Sequence, residues 1–344
     1  MRKRILIVGL GSIGRRHLSI AKRLLPEADI QVLRRENTKT TSGFGVTEID
    51  SLDEAKQFLP EIIVICNAAS EHVNTALEFI GVGANIFIEK PISNSTQEVV
   101  RLINALETAG GSLMLGYNLR YLTSLQEFRR YLHEGLIGNA LSVRCEVGQF
   151  LPNWRPEIDY RKGVSARREL GGGVLLELSH EIDYLRWLFG EVNWVRATLL
   201  RQSQLEIDVE DTVHLTIGFE ERNSTGHLVA NVNMDFIRHD ATRSCTVIGD
   251  KGTLRWDGIL GEVSLFKPGE SDWTAIFTKD NGIEETYVLE WRELIRAAQE
   301  KTSPTVTAED GLRVVEIIEA ARLSTKNGNQ TAVIRTPIKI RDSK

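Results

Sequence analysis

The sequence predicts a two-domain α/β protein, with a parallel sheet and flanking helices first and an α+β domain second. The chain has 344 residues, and at roughly 150 residues per domain this length suggests two domains. Short apolar runs alternate with segments of helical period in the first third, which is typical of βαβ units on a parallel sheet. Beyond Gly138, β-branched runs follow one another across short polar turns, which favours an antiparallel sheet.

The alternation in the first third defines the elements of the first domain. Strands are expected at 5–9, 30–33, 62–66, 85–88 and 113–116. Helices are expected between them at 13–25, 52–59, 71–80 and 96–109. Pro26 follows the first helix and Gly110-Gly111 follows the last, as is common at helix ends.

The second domain combines helices with a series of strands. After a helix at 122–134, strands are expected at 141–147, 194–200, 212–219, 228–236, 244–248 and 252–256. Two further helices are expected, at 173–188 and at 308–325, the latter with Thr307 as its N-cap. The two domains are therefore expected to occupy residues 1–120 and 121–344.

Composition excludes several classes of protein. The 42 Lys and Arg against 47 Asp and Glu give a net charge of −5, which disfavours nucleic acid and anionic membranes as partners. No apolar run approaches the ~18 residues of a membrane span and no signal peptide is evident, so we expect a cytoplasmic protein. The three cysteines are far apart and the seven histidines show no HxH or HExxH spacing, so no metal is expected.

A glycine-rich loop at residues 9–14 predicts a dinucleotide site. Gly9, Gly11 and Gly14 form a GxGxxG motif directly after an apolar strand. The first glycine permits a tight turn, the second lets the backbone approach a pyrophosphate, and the third lets helix pack on strand. The helix then opens at Ser12 and Ile13, where free N–H groups and the positive dipole end face the phosphates.

The end of the second strand bears on which dinucleotide binds. NAD sites usually place Asp or Glu there, about 20 residues past the loop, on the ribose 2′-hydroxyl. Here the strand runs into Arg34-Arg35, and planar guanidinium groups suit a 2′-phosphate. The pair favours NADP(H). The alternative is that both arginines are solvated and that Glu36 binds the ribose of NAD(H).

Four short motifs occur in the order seen in one known family. They are Glu89-Lys90-Pro91, the segment 66–72 with Asn67 and His72, the segment 116–120, and the glycine-led segment 171–183. On these motifs, together with the closing segment 304–334, almost the whole chain resembles the glucose-fructose oxidoreductase / inositol dehydrogenase / MocA (Gfo/Idh/MocA) family.

The resemblance implies a fold, a reaction and an assembly. The fold would be an N-terminal Rossmann domain followed by an α/β domain built on a large open sheet. The reaction would transfer hydride between a nicotinamide and a sugar, nucleotide sugar, cyclitol or related polyol. Asn67, His72, Glu89 and Lys90 would contribute to cofactor binding. The outer face of the sheet often mediates oligomers in this family, which implies a homodimer or homotetramer.

Lys90 is the first candidate catalytic residue. It follows a parallel strand, and ligands bind at the carboxyl ends of strands in open α/β sheets. Pro91 biases Lys90 toward an extended backbone, which directs the ammonium group. Such a cation beside the reacting hydroxyl would stabilise the developing alkoxide, and the resemblance assigns Lys90 this role. The alternative is a surface lysine with Glu89 as a solvated neighbour.

His180 is the candidate for exchanging the hydroxyl proton, because imidazole titrates near the working pH. Glu177 and Asp183 lie three residues to either side, roughly 60° away on one helix, and either carboxylate could orient the ring. The family more often has Asp four residues before the histidine, so Glu177 departs from the family pattern. The alternative is that His180 is an ordinary polar residue of the helix, with its hydrogen bonds satisfied and no catalytic role.

Substrate contacts are expected from two segments. Asn118 and Arg120 lie near the domain junction, whereas Trp154, Arg155, Tyr160 and Arg168 precede the glycine-led helix. Aromatic rings can stack on a sugar, and arginines suit a carboxylate or phosphate on the substrate. Solvated loop charges are the alternative. Two other functions stay open: a catalytically silent dinucleotide-binding regulator, and a reductase of a non-sugar substrate.

Overall fold

The computed structural model describes residues 2–34, 45–220, 227–280 and 282–338, which form two compact units. The first unit takes its described residues from 1–117, 287–315 and 336–344, and the second from 118–286 and 316–335. The chain first crosses from one unit to the other after residue 117, and the domain boundary expected at residue 120 stays a prediction. The expectation that 121–344 forms one domain is not met, because the chain returns to the first unit after residue 286.

A parallel sheet forms the centre of the first unit. In the described part of the chain its strands β1 to β6 are Arg4–Val8, Asp29–Leu33, Thr47–Ile49, Ile62–Ile65, Asn85–Glu89 and Ser112–Gly116. Their order is β3-β2-β1-β4-β5-β6, and each described pairing is parallel. This is the doubly wound order of the Rossmann fold, with the switch point between β1 and β4.

Four helices accompany this sheet in the first part of the chain that the structure describes. The helices α1 to α4 are Ser12–Leu24, Leu52–Gln57, His72–Phe79 and Thr96–Ala109. The predicted strands and helices of this unit are confirmed, with ends that differ by two residues or fewer. The sequence did not predict β3, because three residues are too few to show a period. Residues of β1 and β4 such as Ile5, Ile7 and Val64 are fully buried, as expected of a parallel sheet covered on both faces.

Residues 287–315 belong to the first unit because they pack on its sheet. The Leu115 amide of β6 donates to the Val306 carbonyl over 3.1 Å. A Cβ atom on Gly311 would lie only 2.7 Å from the Leu115 side chain, so the chain approaches β6 closely there. Periodicity reports an element's own shape and not its distant partner, so the sequence did not predict this return.

The second unit is built on a mostly antiparallel sheet, as predicted. Its described strands β7 to β15 are Ala140–Gly148, Val192–Leu200, Thr212–Phe219, Val229–Asp235, Thr242–Gly249, Thr253–Asp257, Glu262–Phe266, Thr274–Thr278 and Thr331–Ala332. They run in the order β14-β13-β12-β11-β7-β10-β9-β8-β15. Among the described pairs, β7 with β10 is parallel and the others are antiparallel. Strands β13 and β14 were not predicted, whereas β15 lies in the segment 304–334, which resembles the closing helix and strand of the family.

The later helices include one that the sequence did not predict. Within the described residues, α5 to α9 are Thr123–His133, Val174–Glu177, His180–Phe189, Ile283–Glu300 and Ala308–Asn327. The predicted start of α9 is confirmed, because the Asp310 amide donates to Thr307 Oγ1 over 3.3 Å. Helix α8 was not predicted. Among the described helices, none has the length and apolarity that crossing a membrane requires.

The helix expected at 173–188 is wrong as a single element, because α6 and α7 are separate. Between them the amides of Ser179 and Glu181 bond to carbonyls three residues back, so the turn tightens and regular helical bonding is interrupted. Glu177 therefore ends one helix and His180 begins the next. The angle of about 60° expected between them on one helix does not apply.

Candidate active site

The phosphate loop of the first unit has the geometry that its glycines predict. Gly9 has a φ of +89°, and a Cβ atom there would lie 3.0 Å from the backbone of Cys66 and Asn67. A Cβ atom on Gly14 would overlap the Gly9 carbonyl oxygen. Glycine is therefore required at both positions, the first for the turn and the third for packing of α1 on the loop.

Gly11 lies in a different environment from its two neighbours in the motif. A Cβ atom built on it meets no described atom within 4 Å. Gly11 is also the N-cap of α1 and makes no side-chain cap, and the first amides of a helix have no intrahelical partner. Open space beside the amides of Ser12 and Ile13 fits the pyrophosphate of a dinucleotide.

The loop after β4 is joined to the loop after β5 by His72. This ring is 2% exposed; its Nδ1 lies 2.8 Å from the Pro91 carbonyl oxygen, and its Nε2 lies 3.1 Å from that of Asn67. Burial lowers the pKa of His72, and the hydrogen bonds to the Pro91 and Asn67 carbonyls oppose this by raising it. Asn67 Nδ2 donates to Thr75 Oγ1 over 2.8 Å. Contacts of Asn67 and His72 with a cofactor stay a prediction.

Lys90 lies directly after β5, at the carboxyl end of the parallel sheet. Its main-chain N–H donates to Glu89 Oε2 over 3.1 Å, and its peptide bond to Pro91 is cis. The Glu89 side chain is buried, with 7% of the residue exposed. It is therefore not the solvated neighbour considered above. The loops that follow β1, β4 and β5 lie beside one another, since these strands are neighbours in the sheet.

The arginines thought to select the cofactor are only partly described. Arg34 Nη1 donates to Glu48 Oε2 over 3.0 Å, and the two side chains are 16% and 13% exposed. Arg35 and Glu36 lie outside the described residues. The charge of Arg34 is thus already balanced by a carboxylate of β3.

In the second unit, Asp183 is held by Arg120. Arg120 Nε donates to Asp183 Oδ2 over 2.9 Å and its Nη2 to Oδ1 over 2.6 Å, with side chains only 4% and 2% exposed. Asp183 lies on α7, one turn after His180, which begins that helix and is half-buried. Asn118, also buried, donates to Thr286 Oγ1 over 2.7 Å.

The expected loop contacts lie in a segment of short 3-10 turns before α6. The Trp154 indole N–H donates to the Gln149 carbonyl over 3.1 Å, and Tyr160 Oη accepts the Glu206 amide over 3.3 Å. Arg168 Nη2 donates to the Asp208 carbonyl over 2.8 Å. Arg155 and Arg168 are exposed, whereas both aromatic side chains are half-buried.

Several buried polar residues within each unit were missed from the sequence. His17 of α1 and Trp291 of α8 are hydrogen-bonded to each other, and Glu181 of α7 pairs with Arg243 Nε over 2.8 Å. His17 lies on the buried face of an amphipathic helix, so it reads as an ordinary core position. Within the described ranges, no group of three or more His, Cys, Asp or Glu residues could hold a metal ion.

Two family models match this chain. One, described as "Oxidoreductase family, NAD-binding Rossmann fold", matches residues 3–117. The other, "Oxidoreductase family, C-terminal alpha/beta domain", matches residues 129–333. The chain belongs to the Gfo/Idh/MocA oxidoreductase family. The resemblance inferred from its motifs is confirmed, as is the class of enzyme, a nicotinamide-dependent oxidoreductase.

Individual known proteins also match over nearly the whole chain. Myo-inositol 2-dehydrogenase from Thermotoga maritima is 22% identical, covering 93% of this chain and 96% of its own. The WlbA dehydrogenase from Bordetella pertussis, solved with NADH and UDP-GlcNAcA, superposes with a TM-score of 0.80 at 20% identity, over 98% and 100% of the two chains. Levoglucosan dehydrogenase with NADH superposes with a TM-score of 0.82 at 19% identity, over 98% and 100%.

Proposed function

We propose that this oxidoreductase transfers hydride between a nicotinamide and a hydroxyl or carbonyl carbon of a sugar, nucleotide sugar or cyclitol. The observation that carries the proposal is Lys90, placed after β5 at the same carboxyl edge of the sheet as the phosphate loop, with its main chain bonded to buried Glu89. The relatives are named for, or solved with, a cyclitol, an anhydrosugar and a nucleotide sugar, and these are the substrate classes we propose to test. The dinucleotide, when bound, supplies the hydride acceptor or donor.

The chain's own residues then handle charge and protons. Lys90 donates a hydrogen bond to the reacting oxygen and stabilises alkoxide character as the hydroxyl is oxidised. His180 exchanges the hydroxyl proton, since imidazole accepts and releases protons near neutral pH. Asp183 is fixed by Arg120, so its carboxylate lies at a defined position on α7 one turn from His180. Glu177, which ends α6, is a further catalytic candidate.

We assign substrate recognition to the segment before α6. Arg155 and Arg168 are exposed there and suit a carboxylate or phosphate on the substrate, while Trp154 and Tyr160 offer ring faces. We assign Arg120 to holding Asp183 rather than to substrate, because its guanidinium is buried and already forms two bonds. Asn118 is buried as well, and we assign it to packing beside Thr286.

We propose NAD(H) as the preferred cofactor, in place of the NADP(H) that the arginine pair favours from sequence. A 2′-phosphate at Arg34 would have to compete with the Glu48 carboxylate, 3.0 Å from the guanidinium. The Glu48 carboxylate and the 2′-phosphate are both negative and would repel each other, so the Arg34–Glu48 ion pair disfavours the additional phosphate. Arg35 is the remaining argument for NADP(H). The ratio of kcat/KM for NADH to that for NADPH decides between the two.

We also propose that the outer face of the second unit's sheet forms a homodimer. Arg144 is exposed on β7, and paired positions on the neighbouring strands continue its row through Thr246, Arg255, Asn231, Thr216 and Arg196. The next row holds Glu146, Ser244, Asp257, Asn233, His214 and Thr198. A basic row beside an acidic row is self-complementary under a two-fold axis.

The test of the reaction is a panel of polyols, sugars and nucleotide sugars, assayed by nicotinamide absorbance with NADH and NADPH. We expect turnover with at least one member and none in His180→Ala, whose dinucleotide affinity should be unchanged. His133→Ala, an exposed histidine of α5 in the same unit, is the matched control and should behave as wild type. Wild-type rates in His180→Ala would remove the proton-transfer assignment, and binding without turnover would favour the silent regulator.

A further inference from the structure

His17 is a fully buried polar residue in the first unit that the reaction above does not use. It lies on α1, with 0% of the residue exposed. Its ring is edge-on to Phe87 at 5.1 Å and to Tyr287 at 5.9 Å between centroids. A buried imidazole surrounded by aromatic rings must satisfy both of its nitrogens with specific partners.

The partners of His17 fix where its proton lies. Trp291 Nε1 donates to His17 Nδ1 over 2.9 Å. Because an indole N–H can only donate, Nδ1 must accept, and the ring proton is therefore on Nε2. That nitrogen lies 2.8 Å from Glu89 Oε1, so His17 donates to Glu89.

Glu89 links His17 to the main chain of Lys90. One carboxylate oxygen accepts from His17, and the other accepts the main-chain N–H of Lys90 over 3.1 Å. Oε2 also lies against β6, because a Cβ atom on Gly116 would be 3.3 Å from it. Both oxygens of Glu89 are thus fixed, and the plane of the carboxylate sets the direction of the backbone as it enters the Lys90 loop.

Glu89 also acts on the pKa values of three buried neighbours. Burial raises the pKa of Glu290 well above its ordinary value, and the charge of Glu89 raises it further. Burial and the same charge raise the pKa of Tyr287 and that of Cys66, so both are neutral. The Arg16 guanidinium stacks 4.7 Å over the Tyr287 ring.

We propose that Trp291, His17 and Glu89 form a positioning network that fixes the main chain at Lys90. This inference rests on the function proposed for Lys90. The three residues come from α8, α1 and β5, so the network ties the return segment of the first unit to the loop that carries the ammonium group. None of the three needs to touch substrate. They act by holding one donor in place, and a displacement of about 1 Å at such a group can cost a hundredfold in rate.

The experiment compares His17→Leu, His17→Gln and Trp291→Phe with wild type in the full chain. Glutamine places an N–H donor where His17 Nε2 lies, whereas leucine keeps the apolar volume and removes the donor. We expect His17→Leu to lower kcat by about tenfold to a hundredfold with unchanged NADH affinity, and His17→Gln to recover most of it. Trp291→Phe should lower kcat in the same direction but less. NMR of protein labelled with 15N-histidine should show His17 protonated on Nε2.

Two controls make the outcome decisive. Trp256→Phe removes a buried indole N–H bond of 3.0 Å to Ser124 Oγ in the second unit. It should therefore lower stability as the loss of any such buried bond does, while kcat stays at the wild-type value. Lys90→Met tests the proposed function separately: retained turnover there would refute the role of Lys90 and the network with it. If Lys90→Met is inactive while His17→Leu turns over like wild type, the network alone is wrong. Equal kcat in His17→Leu and His17→Gln, or a proton on Nδ1, would also overturn it.

Discussion

Glu290 is a single residue whose burial should link stability to pH. It lies on α8 with 0% exposure, and no described group forms a hydrogen bond with either carboxyl oxygen. Burial raises its pKa, and the charges of Glu89 and Glu293 add to the shift. The folded chain therefore keeps a proton that the unfolded chain releases above the ordinary value of 4.5, so stability falls as pH rises through that window.

Glu290→Gln should remove this dependence. Glutamine has the same shape and no charge, so the variant and wild type should be equally stable near pH 4.5. Wild type should then fall behind as pH rises, by more than about 1 kcal/mol at pH ~8. Thermal unfolding across this pH range measures it. Parallel curves for the two proteins at all pH values would show that Glu290 is not held neutral in the fold.

Glu48 is the residue at which cofactor preference should be adjustable. Its carboxylate holds Arg34, so Glu48→Gln frees the guanidinium for a 2′-phosphate. A charge-assisted hydrogen bond contributes about 1.5–3 kcal/mol, which predicts a rise of at least about tenfold in the NADPH-to-NADH ratio of kcat/KM. Arg34→Leu in the Glu48→Gln background is the matched control and should cancel the rise. An unchanged ratio in Glu48→Gln would place cofactor selection elsewhere.

At the scale of elements, the ion pair of Arg120 and Asp183 anchors α7. Arg120 lies in the turn Asn118–Tyr121, and both side chains are almost fully buried. Removing one partner leaves a buried charge, which costs about 3–5 kcal/mol.

Arg120→Leu should therefore destabilise the protein by about 3–5 kcal/mol, as measured by urea unfolding. The double variant Arg120→Leu/Asp183→Leu should recover much of that loss, because no unpaired charge is left. If Arg120 instead binds substrate, Arg120→Leu would raise KM with little change in the free energy of unfolding, and our assignment to Asp183 would be wrong.

Element by element, the sequence predicted what periodicity and punctuation encode. Helix α4 at Thr96–Ala109 and strand β9 at Thr212–Phe219 match their predicted bounds, since each has a clear period between turn residues. The break between α6 and α7 was not predicted, because no proline marks it and the apolar spacing continues through Leu178. The first glycine-rich motif was predictable as a site, since a fixed turn and a helix N-terminus are local properties.

At the scale of the whole molecule, long-range pairing limited the prediction. The partner of Asp183 is 63 residues away along the chain and that of His17 is 274 residues away, and no local pattern reports either. The family resemblance supplied the order of domains and their chemistry. The resemblance could not show that residues 287–315 return to the first unit, because this return depends on which surface of the parallel sheet is left open for them to pack on.

The proposed homodimer is tested at this same scale. Arg144 and Glu146 lie two residues apart on β7 and point to the same face. Arg144→Glu should convert the dimer to monomer in light scattering, because a carboxylate in the basic row would repel the acidic row of the second copy. Arg144→Glu/Glu146→Arg should restore the dimer with reversed charges. A matched change on the flank of α5, Glu127→Arg, should leave the mass unchanged. A dimer that survives Arg144→Glu would place the interface on another surface.

The return of residues 287–315 to the first unit has a consequence for synthesis on the ribosome. N-terminal domains usually fold first, as soon as they emerge. Here Trp291, Val306 and Gly311 complete the first unit, so its sheet stays partly uncovered until nearly the whole chain has been translated. The second unit's strands are all but finished by then. The first unit therefore starts before the second unit and is completed only after most of it.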